Sequence, residues 1–154
     1  LALDFGVKKM GMALGNSLGA DARPFDILAM DNGQPDWDNL LGIIEQWRID
    51  VVVVGLPLNM DGTDSMLSKR AAKFARRLAH RLGERHLPVQ AYMYDERLSS
   101  HEARMMAWER GWMKHERDPI DDVSACLLVD GYFNSPELAR YVGSYHDNEQ
   151  KGKD

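Results

Sequence analysis

The run "VVVVG" at Val51 to Gly55 constrains the fold more than any other part of the chain. Its consecutive β-branched apolar side chains leave no polar side for solvent, so it reads as a central strand buried on both faces of a parallel or mixed sheet. Such a strand needs strands at both edges and helices over both faces. "LALDF" (Leu1 to Phe5) and "GMALG" (Gly11 to Gly15) alternate and suit a hairpin, and "PFDILAM" (Pro24 to Met30) reads as a third strand. "PDWDNLLGIIEQWRID" sets Trp37, Leu40, Leu41, Ile44 and Trp47 at helical spacing behind the start signals Pro35 and Asp36.

After the valine run, the loop "LPLNMDGTD" leads to a predicted helix over Ser65 to Leu82. Leu67, Ala71, Phe74, Leu78 and Leu82 form its apolar stripe, with Lys69, Lys73, Arg76, Arg77 and His80 opposite. Pro88 to Tyr94 reads as the fifth strand. "SSHEARMMAWERGW" reads as a helix with Ser99 and Glu102 at capping-box spacing. A further helix is predicted in "DPIDDVSACLLVDGYF", with Asp118 as N-cap and Pro119 at the first helical position. "SPELARY" suits a short terminal helix, and "HDNEQKGKD" a disordered tail. The expected fold class is therefore α/β, with a mixed five-stranded sheet flanked by helices in one domain over 1–142 and a tail over 143–154.

The 154 residues, 44% hydrophobic and 28% charged, match one ordinary globular domain. No apolar run approaches a membrane span, and the first residues lack the pattern of a signal peptide, so a cytoplasmic protein with no membrane partner is expected. The single Cys126 sits in the apolar "VSACLLV" and reads as a core residue, and the histidines have no metal-binding spacing. Any metal is expected on carboxylates. A net charge of −5 argues against a protein that coats nucleic acid through its overall charge, though a local basic patch is compatible with phosphate contact.

Three segments offer acids. Asp4 interrupts an apolar strand, where a carboxylate needs solvent, a partner or a cation; a hold by backbone amides of the "GVKK" turn is the alternative. Asp95 and Glu96 end a strand, where open α/β sheets form their ligand crevices, and strand alternation turns only one of the two toward a given crevice. Asp121 and Asp122 open a helix, where the helix dipole alone favours negative charge, and they stand about 100° apart around its axis. Acids gathered from three elements at one end of a sheet would repel one another unless a hard cation such as Mg2+ or Mn2+ neutralised them.

"LALDFGVKKMGMALG", "VVVVGLPLNMDGT", "DERLSS" with the following "EAR", and "IDDVSACLLVDGYF" together resemble the YqgF/RuvX family of pre-16S rRNA nucleases, also described as Holliday junction resolvase-like proteins. The likeness runs in order from Leu1 to about Phe133. It implies an RNase H-like fold, with the first three strands antiparallel and the last two added in parallel. It also implies a metal-dependent phosphodiesterase that processes the 5′ end of pre-16S rRNA, with Asp4, Glu96 and Asp121 as catalytic and metal-holding acids. Magnesium, or manganese, is the implied cofactor, and structured RNA the implied partner, for a monomer or homodimer.

Lys9 and Arg97 are candidate phosphate contacts, and Arg97 has a second role open to it in orienting Asp95. Asn59, and with it Asp61, is a candidate substrate contact in the "GLPLNMDGT" loop; otherwise that loop is a turn whose glycines and proline only set the backbone. The basic face at Lys69, Lys73, Arg76 and Arg77 reads either as a nucleic-acid track or as a solvated surface. Met105, Met106, Trp108 and Trp112 suit core packing or a dimer surface.

Two points strain the likeness. Asp122 stands beside Asp121 where the family commonly has a small or neutral residue. Glu96 must also reach Asp4 across about 10 Å if one strand lies between theirs. Competing readings are a resolvase of branched DNA, which needs two sites in a symmetric dimer, and a noncatalytic nucleic-acid-binding regulatory protein. "DFGVKKMGMALG" also resembles the first phosphate motif of sugar kinases and actin-like ATPases, but the chain is too short for their two-domain cleft.

Overall fold

The computed structural model describes residues 1–18, 21–98, 109 and 121–143. Its elements run β1 (Ala2–Asp4), β2 (Lys9–Asn16), β3 (Asp21–Asp31), β4 (Gln34–Pro35), α1 (Trp37–Gln46), β5 (Val51–Leu56), α2 (Met66–Glu84) and β6 (Gln90–Asp95). A 3-10 turn (Glu96–Leu98), α3 (Asp121–Asn134), a second 3-10 turn (Pro136–Leu138) and β7 (Arg140–Gly143) complete them. The strands form one sheet in the order β4-β3-β2-β1-β5-β6-β7.

The valine strand β5 lies between β1 and β6 and is parallel to both. β1, β2 and β3 form the expected antiparallel meander. Alternation along β5 divides the core in two. Val52 and Val54 pack with Leu3, Phe5, Met10 and Met12 beneath α1 and α2, which contribute Leu40, Ile44, Phe74 and Leu78. Val53 faces the other way, with Ala2, Ala13 and Tyr94, against Ala125, Cys126, Leu128 and Val129 of α3. Helices therefore cover both faces, as the unrelieved apolar run requires.

The sheet has seven strands, where five were expected. β4 is two residues long, too short for a periodic signal. It forms because Asn32 (φ 49°) and Gly33 (φ 82°) turn the chain back on β3 with two positive φ angles, as an Asn-Gly hairpin requires. β7 begins in the segment read as a terminal helix, at Arg140 and Tyr141, and runs on to Gly143, where the expected tail begins. Glu137, Leu138, Ala139 and Arg140 favour a helix locally, but only a 3-10 turn forms there. The open edge of β6 takes Arg140–Gly143 as an antiparallel partner, with Tyr141 against the Tyr92 ring at 5.6 Å. The predicted helix at "SSHEARMMAWERGW", the cap at Asp118 and Pro119, and the tail beyond Gly143 lie outside the described residues, apart from Glu109.

Both predicted helix starts on the α1/α2 side are capped. Asp36 accepts a hydrogen bond from the Asn39 amide, and Ser65 accepts one from the Ser68 amide at 2.9 Å while Ser68 Oγ accepts from the Ser65 amide at 2.8 Å. Ser65 Oγ also donates to the Pro57 carbonyl at 2.6 Å, tying the start of α2 to the loop after β5. Ser65→Ala is expected to lower the unfolding free energy by about 1 kcal/mol. The change should appear as a lower urea midpoint with an unchanged slope.

Candidate functional site

The carboxyl ends of β1, β5 and β6 lie side by side. Leu3 pairs with Val54 and Gly55 with Tyr94, so Asp4, Gly55 and the chain just beyond Asp95 meet at one edge of the sheet. Ala2 and Val53 face α3, and alternation gives Asp4 and Gly55 the same face. Glu96 follows Tyr94 on that side and folds back over β5, because its first 3-10 turn leaves the strand direction at this residue.

Gly55 makes the crossing possible. A Cβ at this position would lie 2.4 Å from Glu96 Oε1 and 2.9 Å from Leu128 Cδ1 of α3. With no side chain on the middle strand, Glu96 reaches Asp4, and the two carboxyl groups share a side-chain hydrogen bond. The distance between strand axes is thus bridged by one glutamate side chain lying over a glycine. Burial raises the Glu96 pKa, the hydrogen bond from Asp4 offsets part of the rise, and the charge of Asp95 adds to it.

Asp95 turns away from this pair. It accepts hydrogen bonds from the Arg97 amide at 2.9 Å, from Nε at 3.0 and 3.1 Å, and from Nη2 at 2.6 Å. Burial would raise the Asp95 pKa, but the Arg97 hydrogen bonds and charge outweigh it and hold the carboxyl below its ordinary value. Arg97 Nη1 donates in turn to the Met60 carbonyl at 3.3 Å. Gly62, at φ 87°, lets the loop backbone lie flat against the guanidinium. Of the two roles open to Arg97, the geometry displays the one that orients Asp95.

Asn59 builds the loop from inside. Its Nδ2 donates to Thr63 Oγ1 and to the Asp64 carbonyl, both at 3.1 Å. Asp61 accepts from the Thr63 hydroxyl and amide, and these bonds lower its pKa. Lys9 is exposed at the start of β2. The neighbouring Met10 belongs to the α1/α2 core, so alternation sets Lys9 on the face used by Asp4.

Asp121 opens α3, and the side chains of Asp121 and Asp122 lie outside the described residues. Among the described residues, no group of three His, Cys, Asp or Glu side chains is gathered for a metal. The donors that are described still suit a hard cation. Two carboxyl groups in contact, one with a raised pKa, offer oxygen ligands in a cradle that a Cβ at Gly55 would fill.

A model of the family described as "RuvX: Holliday junction resolvase" matches residues 1–135. The chain belongs to the RuvX family. A protein of Psychrobacter cryohalolentis named "Putative pre-16S rRNA nuclease" is 72% identical over 136 residues, 88% of this chain and 79% of that one. A protein of the same name from Pseudomonas savastanoi pv. phaseolicola is 43% identical over 141 residues, covering 90% and 93%. Among solved structures, Thermus thermophilus RuvC in complex with a Holliday junction substrate superposes with a TM-score of 0.60 at 14% identity, over 90% of this chain and 96% of that one. The fold is RNase H-like.

Two features of this RuvX-family protein escaped the sequence. Gly55 had been assigned only a backbone role, although a glycine ending a run of four valines is itself a signal of close approach. The link from Asp95 through Arg97 to Met60 joins positions 37 residues apart and leaves no local pattern.

The raised pKa of Glu96 has a sign that melting can test. Unfolded, Glu96 titrates as an ordinary carboxyl; folded, it keeps its proton to higher pH. Stability therefore falls as pH rises through the interval between the two values. Without divalent metal, Glu96→Gln is expected to melt close to wild type near pH 4, about the ordinary carboxyl value, and above it at neutral pH. Thermal melts in EDTA across this range decide; a variant less stable than wild type at neutral pH would contradict the raised value. Gly55→Ala is expected to cost about 1–3 kcal/mol through overpacking, and calorimetry should register it as a lower Tm.

Proposed function

We propose that this chain is a metal-dependent nuclease that hydrolyses phosphodiester bonds in a structured precursor of 16S rRNA, with Asp4, Glu96 and Asp121 holding the metal. The observation that carries the reading is the Asp4–Glu96 carboxyl pair assembled over Gly55. Family membership and the relatives' shared name support the reaction class and the choice of substrate. A cytoplasmic location agrees with an RNA substrate of this kind, and among the described residues no helix is long and apolar enough to cross a membrane.

The register of α3 favours Asp121 over Asp122. Val129, Tyr132 and Phe133 border the same hollow as Leu1, Ala2 and Val51, so the later turns of α3 lie at the amino ends of β1 and β5. Its first turn therefore points toward Asp4. Position 121 falls seven residues, about two turns, before Leu128 and shares its stripe, and Leu128 is the residue that closes on Gly55. Position 122 shares the stripe of Val129, which closes on Gly15 of β2 instead.

In this reading the three carboxylates supply oxygen ligands to magnesium or manganese. A cation there would lower the pKa of a bound water and stabilise the leaving oxygen of the phosphodiester. The chain's own groups set the stage. Burial holds the Glu96 carboxyl protonated to higher pH than an exposed one, and a cation bound there would take its oxygens in the deprotonated form. Arg97 keeps Asp95 turned aside and fixes the loop at Met60, while Lys9 offers a cation on the Asp4 face for substrate phosphate. Asn59 acts on substrate through the loop shape that its two donors maintain.

A labelled 16S rRNA precursor and a four-way DNA junction, incubated with Mg2+, Mn2+ or EDTA, test the reading. The precursor is expected to be cut by the wild type with metal, and Asp4→Asn should reduce the rate by about 10²-fold or more while binding survives, as when a single charge-stabilising group is removed. Cleavage of the junction alone would establish the resolvase reading in its place. Binding without cutting under every metal condition would establish a noncatalytic nucleic-acid-binding protein.

A further inference from the structure

The exposed side of α2 carries six of the chain's 19 lysines and arginines between Lys69 and Arg81, with no acid among them. Lys69 and Lys73, Lys73 and Arg77, and Arg77 and Arg81 are successive like-charge pairs at i, i+4, each costing about 0.2–0.5 kcal/mol on an isolated helix. Among the described residues, Lys69, Lys73, Arg76 and Arg77 have no acidic partner. The chain has 24 acids available for pairing, so a merely solvated face would be expected to mix the two signs.

The face is also concave. One hollow is bordered by Phe5, Asn32, Gly33, Arg70, Lys73 and Arg77, with Asp31 at its edge. A second adjoins it, sharing Gln34, Lys73 and Arg77, and continues past Arg76 and His80 to Arg81, with Glu84 at its far end. Two contacts brace the walls: Arg70 Nη2 donates to the Asn32 carbonyl at 2.7 Å, and the Arg81 guanidinium stacks 4.5 Å over the Trp37 ring.

The groove begins at the catalytic end of the sheet. It lies on the α1/α2 side, where Phe5 packs, while Asp4, one residue earlier, faces α3, so the two share an end of the sheet and a substrate would pass round that end. The Asn32–Gly33 turn is held beside the chain leaving β1 by the Gly33 amide on the Val7 carbonyl. From there it follows α2 away from the acids. Lys73 to Arg81 spans about 12 Å of helix, long enough to run beside several consecutive phosphates of one strand.

We infer that this groove along α2 holds the phosphodiester backbone of a duplex RNA arm that flanks the bond cut at Asp4 and Glu96. The inference rests on the nuclease reading above and adds where its substrate lies. The cations supply affinity and register and leave sequence unread.

A fluorescein-labelled RNA hairpin and a DNA duplex of the same sequence, titrated in EDTA over a range of salt by anisotropy, test it. Lys73→Glu/Arg77→Glu is compared with Arg23→Glu/Arg48→Glu, which makes the same change in net charge on exposed residues elsewhere. Loss of two phosphate contacts is expected to flatten the log–log salt slope by about 2 and weaken binding ~60-fold at 0.1 M salt relative to 1 M. The control pair should stay within a few fold of wild type. Stronger loss on the RNA hairpin than on DNA supports the RNA arm, whereas equal loss in both double variants, an unchanged slope, or loss on DNA alone overturns it. Cleavage of the rRNA precursor by the same preparations separates the two claims. A Lys73→Glu/Arg77→Glu protein that binds and cuts like wild type removes only the groove, while a wild type that neither binds nor cuts removes the nuclease reading with it.

Discussion

Two carboxyl groups from strands that are not neighbours have to meet, and the strand between them has to allow it. β5 separates β1 from β6, and Asp4 and Glu96 come together over it only because position 55 has no side chain. The same residue sets how closely α3 approaches, since Leu128 fills the rest of the space a Cβ would take. Sheet, helix and acid pair thus share one steric constraint. The four valines make β5 stable enough to be central, and the glycine after them makes the site.

The acids do not meet without restraint on their neighbours. Asp95 adjoins Glu96 in sequence and raises its pKa, so a freely moving Asp95 would add further negative charge beside the pair. Arg97 takes both Asp95 oxygens and anchors the assembly on the Met60 carbonyl. The loop after β5 is in turn shaped by Asn59 and Asp61 and joined to α2 through Ser65 and Pro57. One short tripeptide therefore divides its charges by strand parity: Glu96 goes to the site, and Asp95 and Arg97 to its frame.

That the two acids part was legible in advance, because alternation forbids Asp95 and Glu96 from facing the same way; which of them turns inward came only from the family resemblance, and the role of Arg97 stayed open. The central strand, the meander, the two capped helices and the parallel addition of β5 and β6 were legible for similar reasons, each resting on periodicity or on a local hydrogen bond. What escaped depended on pairing at a distance. β7 follows residues that favour a helix; Tyr141 and Val142 suit a strand, but four residues offer too little alternation to notice, and it is the free edge of β6 that pairs them. β4 was within reach, since Asn32-Gly33 is a hairpin signal, but a two-residue strand offers no alternation to notice. Which of Asp121 and Asp122 serves the site lay beyond the residues themselves, because both open the same helix; the helical register to Leu128, which closes on Gly55, is what supports the proposal of Asp121.

Net charge is the least informative number in the sequence for a protein of this kind. The value of −5 averages a carboxyl cluster at the sheet edge with a cationic groove along α2, and the two act in opposite directions on one substrate. On the proposed nuclease reading, a phosphodiester brought to Asp4 and Glu96 meets negative charge at the point where it would be cut. Within a Debye length of about 8 Å in physiological salt, that repulsion is little screened, so affinity has to come from cations farther along the strand. The proposed groove on the α1/α2 side, receding from the sheet end that carries the acids, would supply it without neutralising them. In the proposed function the carboxylates are then left to hold a metal, and the nucleic acid would be gripped away from the chemistry.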